Sequence, residues 1–389
     1  MDNREKVEVQ ALAKEKSRSE RRYDIDWIRI IAVLLLIYGH TACIFGYPTW
    51  QINNTQRSGG MTQFMFFTSL WHMPLLFLLS GMGTAFALGF RRANQYVKER
   101  VYRLLIPLIF GMLVLIPLQV YYEHLNKLSF QGSYLKFYPY YFEQAYSHKD
   151  VDWHHLWFLG YLFMFSGIAL PLFLYLKQEA GQRFTQRLAY LCQRSGAIFL
   201  FAIPLAITEV TLRAKWPGSH NPLHDWANFI YFLAFFIYGY LLVSDVRFES
   251  AINKHGTISL ILAIALTSII FAWGANSPNA VYDYSPGYIL YQIAHSLNSW
   301  FWIVAILSFG KKYLNVKSKV LKYANEAVLP FYILHQTVII IIGFYIVKWN
   351  TSIMVKFLII STTSLVITIA LYDLLIKRTK VTRFLLGMK

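Results

Sequence analysis

Ten stretches of this 389-residue chain stay predominantly apolar for 18–28 residues: about 25–45, 63–90, 104–122, 155–176, 196–213, 226–244, 257–275, 287–309, 326–347 and 353–372. A helix rises about 1.5 Å per residue, so roughly 20 such residues cross the hydrocarbon core of a bilayer. Inside lipid every backbone polar group must be satisfied internally, which leaves helices or closed barrels. Continuous apolar runs of this length select helices. The expected fold class is therefore an all-α polytopic membrane protein with about ten transmembrane helices. Composition agrees: 56% of the residues are apolar and 15% charged, against roughly 45–50% and 25% in an ordinary soluble domain. A disordered chain and most soluble enzymes are excluded.

The chain carries 37 Lys and Arg against 20 Asp and Glu, a net charge of +17. Sorted by the segments between runs, with the N-terminus placed in the cytoplasm, 28 basic residues fall on the inner side and 7 on the outer. That asymmetry is the positive-inside signal, and it predicts both termini in the cytoplasm. It also accounts for the charge without a nucleic-acid partner. Residues 1–22 read as a charged tail, 23–376 as the membrane domain and 377–389 as a basic tail. The N-terminal tail, with seven basic and five acidic residues, is too polar for a signal peptide. Cys43 and Cys192 are predicted on opposite sides and do not suggest a disulfide. No metal-ligand spacing, phosphate-binding glycine loop, dinucleotide fingerprint or internal repeat is present, so no metal is expected.

Ionisable residues within the spans are costly and point to function. Arg29 and His40 lie eleven residues apart in the first run, close to three helical turns, on one face and about 16 Å apart along the axis. Arg29 reads equally as a snorkelling residue paired with Asp26 at i,i+3; His40 snorkels less easily and is the stronger candidate. Arg100 and Arg103 share a helix face before the third run and can grip a phosphate, although basic clusters are ordinary on an inner loop. Glu209 in the fifth run is expected at the depth of His40, roughly 20 Å from the inner face, where a carboxylate would orient the imidazole and raise its basicity. Its other reading is a residue lining the outer mouth. His72, before Pro74, reads as a hydrogen-bonding strut, and Pro74 is expected to bend its helix and free a carbonyl. The following Ser80-Gly81-Met82-Gly83 permits close helix packing. His295 and His335 read as satisfied interhelical histidines. His155 and Trp157 open the fourth run, and the aromatic segment 123–154 is expected to pack on the outer face.

Taken together, Arg29-x10-His40, Arg100-x-x-Arg103, His72-Met73-Pro74-Leu75-Leu76-Phe77, His155-Leu156-Trp157-Phe158-Leu159 and Phe331-Tyr332-Ile333-Leu334-His335 resemble membrane acyltransferase family 3. These are ten-helix enzymes that modify cell-surface and periplasmic glycans. The His-Leu-Trp-Phe-Leu element resembles the glucan succinyltransferase branch of the glucan biosynthesis protein C type. The likeness extends from about Tyr23 to Asp373. It implies an acyl-CoA donor (acetyl or succinyl) arriving from the cytoplasm, its phosphates on Arg29, Arg100 and Arg103. It implies His40 as general base, assisted by Glu209, on a hydroxyl of an extracytoplasmic glycan. His72, His155, Trp157, Tyr332 and His335 then support the site or the acceptor, and the bacterial inner membrane is the expected location. Direct attack on the thioester is the first choice, with an acyl-histidine route also open. Some members carry an extra esterase-like domain; none is expected here. The rival readings are a transporter or flippase of a glycan or lipid-linked substrate, which would show discontinuous helices or repeats, an unrelated acyltransferase fold with His335 as catalyst, and a membrane scaffold.

Overall fold

In the computed structural model, residues 21–148, 153–218, 224–276 and 284–388 are described. The tail expected at 1–22 lies outside them except for Arg21 and Arg22. Among the described residues the chain is all helical, without a strand. The long elements are α1 (Tyr23–Cys43), α2 (Gly59–Ser69), α3 (His72–Phe90), α4 (Ala93–Asn126), α5 (Tyr134–His148), α6 (Trp157–Ile168), α7 (Leu170–Lys177) and α8 (Glu179–Cys192). They continue with α9 (Ala202–Leu212), α10 (Trp226–Leu242), α11 (Val246–Asn276), α12 (Pro286–Tyr313), α13 (Lys319–Ile346) and α14 (Ile353–Leu371). Seven helical stretches are long and apolar enough to cross a membrane; the bent pair His154–Ile168 and Leu170–Lys177 makes an eighth if taken as one span. Two shorter apolar helices, Ala197–Leu212 and Trp226–Leu242, occupy the fifth and sixth runs.

Several helices are discontinuous, as expected at Pro74 and contrary to the uninterrupted runs read elsewhere, and proline explains where. Pro74 has no N–H to offer the carbonyl four residues earlier, that of Leu70. The helix breaks at Leu70–Trp71, and Ser299 Oγ from α12 donates to the freed Leu70 oxygen. Pro117 similarly frees Leu113, whose oxygen accepts from Tyr138 Oη of α5 at 3.1 Å. Within α4, wide π turns at Val101–Leu105 and Gly111–Leu115 precede Pro107 and Pro117. Pro171 follows the 46° bend between α6 and α7.

Helix α3 packs backbone to backbone on α10. A Cβ on Gly81 would lie 1.9 Å from the carbonyl oxygen of Phe236, and one on Gly239 would lie 1.9 Å from that of Leu78. No side chain fits there, so the glycines set the helix separation. Within the aromatic segment 123–154, α5 buries Phe137 against Tyr121 of α4 at 5.4 Å between ring centroids.

Gly239→Leu should force α3 from α10 and lower stability by about 3 kcal/mol or more. Thermal unfolding in lipid nanodiscs reads this as a fall in Tm, whereas Gly39→Leu, with open space at its Cβ, should leave Tm nearly unchanged.

Candidate active site

His40 lies in the last turn of α1, just before the irregular segment 44–58. That segment is fixed by its own polar groups. Asn53 Oδ1 accepts from Trp50 N at 2.8 Å, Arg57 Nη1 donates to Gly46 O at 2.7 Å, and buried Lys356 donates to Asn54 Oδ1 at 2.8 Å. It lays the Trp50 ring nearly parallel to His40, with centroids 5.9 Å apart and planes at 7°. His335 of α13 also stacks on His40, at 5.0 Å and 22°. Nδ1 of His40 and Nε2 of His335 are 2.9 Å apart.

Two further histidines join this pair. The His155 ring stands perpendicular to that of His335, 5.3 Å away. Its Nε2 donates to Ile333 O at 3.0 Å, and Tyr332 Oη donates back to His155 O. This reciprocal clamp ties the start of α6 to α13. His72 Nε2 donates to Ala32 O at 2.7 Å and so braces α3 against α1, the expected strut. Beside the histidines runs a line of buried amides. Gln336 Nε2 donates to Gln51 Oε1 at 3.0 Å and to Gln119 Oε1 at 3.2 Å, and Gln119 Nε2 donates to Thr337 Oγ1 at 2.7 Å. Trp50, Gln51, Gln119 and Gln336 escaped sequence reading, which weighed only ionisable residues within spans. Uncharged Gln119 and Gln336 in two apolar runs were a usable signal; Trp50 and Gln51, in an irregular segment, had none.

At the other end of α1 the three expected arginines come together. Arg29 lies close to Gly83 of α3, 3.8 Å from where a Cβ there would stand. Arg29 and Arg103 both interact electrostatically with Arg100. Asp26 is shared by Arg21 at 2.9 Å and Arg29 at 3.4 Å; Glu99 is shared by Arg91 at 3.0 Å and Arg103 at 3.6 Å. Arg100 rests on the face of Tyr96 at 4.7 Å, and its buried Nε finds no acceptor among the described residues. Four arginines therefore share two carboxylates and Arg100 adds a fifth cation beside them, and the excess positive charge suits a polyanion.

The expected pairing of Glu209 with His40 is not formed. Glu209 is held bidentately by Arg213 of the chain just past α9, at 2.9 and 2.7 Å, and Arg213 also donates to Asn228 at 2.7 Å. The arginine lies at i+4, within reach on the same helical face, and α9 packs on α10 and α12. His295 lies in the field of this pair, and among the described residues its buried Nδ1 has no hydrogen-bond partner. Trp157 is edge-on to Tyr161 at 5.2 Å and lies beside Phe77 and Phe232, so its ring is packed among aromatic side chains of α3 and α10.

A helical membrane bundle with an imidazole cluster at one end of α1 and a cationic cluster at the other has the build of a membrane acyltransferase. The chain belongs to the acyltransferase 3 family, whose model, described as an acyltransferase domain, matches residues 22–373. It is similar to the glucans biosynthesis protein C of Shigella dysenteriae serotype 1, 24% identical over 345 residues and 86% of each chain. The protein of that name from Escherichia coli K12 is also 24% identical over 86% of each chain, and that from E. coli O81 is 23% identical over 347 residues. No solved structure matches the chain. The chain is thus an acyltransferase, as the sequence motifs implied.

Glu209→Ala should strand a buried Arg213 and cost about 3–5 kcal/mol, whereas replacing both residues with apolar ones should cost less than either single change. A double-mutant cycle by thermal unfolding measures the difference.

Proposed function

We propose that this enzyme is a ten-span O-acyltransferase of a bacterial inner membrane, with both termini cytoplasmic. It transfers an acyl group, acetyl or succinyl, from cytoplasmic acyl-CoA to a hydroxyl of an extracytoplasmic glycan. The ten spans are the seven long helices, the bent α6–α7 pair and the two shorter helices. Residues 23–376 form the catalytic membrane domain between a charged N-terminal tail and a basic C-terminal one.

The observation that carries this reading is the polarity of α1. Its arginine cluster and its histidine cluster lie about 16 Å apart along one helix. A donor whose phosphates rest on Arg29, Arg100 and Arg103 therefore points its pantetheine arm along the bundle toward His40. His40 takes the proton of the acceptor hydroxyl as the oxygen attacks the thioester carbon, and transfer is direct. His72, His155, Tyr332 and His335 hold the imidazole site, and Trp50 with the glutamine line borders it. Glu209 and Arg213 secure α9 and take no proton. The glycan acceptor is supported by the relatives named for glucan biosynthesis.

The test uses protein in lipid nanodiscs with radiolabelled acyl-CoA and an oligoglucan. His40→Ala should lower kcat by about 100- to 10,000-fold. Acyl transfer surviving that change would sink the assignment, and glycan movement without acyl-CoA would favour a flippase. Arg100→Gln should raise KM for acyl-CoA by about 10-fold or more with kcat largely kept, the weight of one charge-assisted phosphate contact.

A further inference from the structure

We infer that His335 is a positioning residue that stays neutral through the reaction and locks His40 in the tautomer whose Nε2 is the base. The inference rests on the proposed role of His40 and adds which nitrogen acts and what selects it.

The direction of the hydrogen-bond chain follows from its terminus. His335 Nδ1 lies 2.5 Å from the backbone oxygen of Tyr332. A carbonyl oxygen only accepts, so Nδ1 of His335 carries a proton. A neutral imidazole has one N–H, which leaves Nε2 of His335 as an acceptor. Its partner at 2.9 Å is Nδ1 of His40, so that nitrogen must be the donor. The proton of neutral His40 is thereby placed on Nδ1, and the lone pair is on Nε2. Among the described residues Nε2 of His40 makes no hydrogen bond.

This sets His40 apart from its three neighbours. His72, His155 and His335 each give their N–H to a backbone carbonyl, of Ala32, Ile333 and Tyr332 respectively. His155 and His335 are also deeply buried, whereas His40 is only half-buried. Of the four, His40 is the one that gives its N–H to another side chain, and among the described residues its second nitrogen makes no hydrogen bond. The four rings thus form three anchored supports and one base.

The chemistry balances without a further reactant. The acceptor O–H bond breaks and its proton goes to Nε2 of His40, while the oxygen–acyl carbon bond forms and the carbon–sulfur bond of the thioester breaks. The proton then passes from Nε2 to the departing thiolate. During this cycle Nδ1–H of the His40 imidazolium donates to Nε2 of His335, which neither gains nor loses a proton. A carboxylate in that place would require a second buried charge with its own desolvation cost. An imidazole anchored on a carbonyl orients the base at no net charge.

The readout is the tautomer itself. Protein labelled with nitrogen-15 histidine, in lipid bilayers at a pH where His40 is neutral, should show Nδ1 protonated and Nε2 unprotonated for the signals that His40→Ala removes. A through-bond correlation should join its Nδ1 to Nε2 of His335. His335→Leu should lose that preference and reduce kcat by about 100-fold or more, with KM for acyl-CoA within twofold. His335→Gln, whose amide oxygen can accept from Nδ1, should recover most of kcat. If His335→Leu does not fold, the wild-type tautomer alone decides. Finding wild-type His40 protonated on Nε2, or His335→Leu as active as wild type, overturns the tautomer lock while leaving His40 as base. Activity of His40→Ala overturns both.

Discussion

An unmet hydrogen bond in hydrocarbon costs several kcal/mol, and the placement of polar side chains in this bundle follows from that penalty. Proline opens the debt at defined points. Pro74 and Pro117 release the carbonyls of Leu70 and Leu113, and Ser299 and Tyr138 come from other helices to meet them. Each repair fastens two helices together at a place where one helix has been interrupted. The break at Leu70–Trp71 directly precedes His72, so the same device that disrupts the helix starts α3 at the strut histidine.

The two ends of α1 solve opposite electrostatic problems. One end gathers four arginines on two carboxylates with Arg100 beside them, which leaves positive charge in excess. The other end assembles four imidazoles with no carboxylate among their hydrogen-bond partners in the described residues, each N–H directed by a carbonyl or by another ring. Neutral groups can be buried without a counterion, so the four imidazoles are accommodated deep in the bundle with little charge to stabilise. Glu209 follows the same economy in reverse: being charged and buried, it is taken by the nearest arginine and is not available to His40.

Much of the architecture was legible in the chain. The runs located the helices, because spanning lipid demands length and apolarity together, and both are local properties. The carbonyl freed by Pro74 and the Arg29–Asp26 pair were readable for the same reason, since each partner lies one turn away; Gly81 and His72 were readable as residue types, while their partners lie on other helices. The interruption at Leu70–Trp71 follows from the bend expected at Pro74, whereas the bend at Ala169 was missed because an apolar run continues through it. Trp50 and Gln51 were missed because an irregular segment has no period to mark an inward-facing residue.

The sequence by itself determined an all-helical membrane protein, the residues able to bear charge within it, and the family resemblance carried by five short motifs. Helical periodicity placed Arg29 and His40 on one face, since both lie on one helix. Tertiary structure decided which histidine meets which. His40 and His335 are 295 positions apart, and only packing of α1 on α13 brings their rings together. It also gave Glu209 to Arg213. A side chain's partner at depth is selected by distance in three dimensions, and no pattern along one chain encodes that distance.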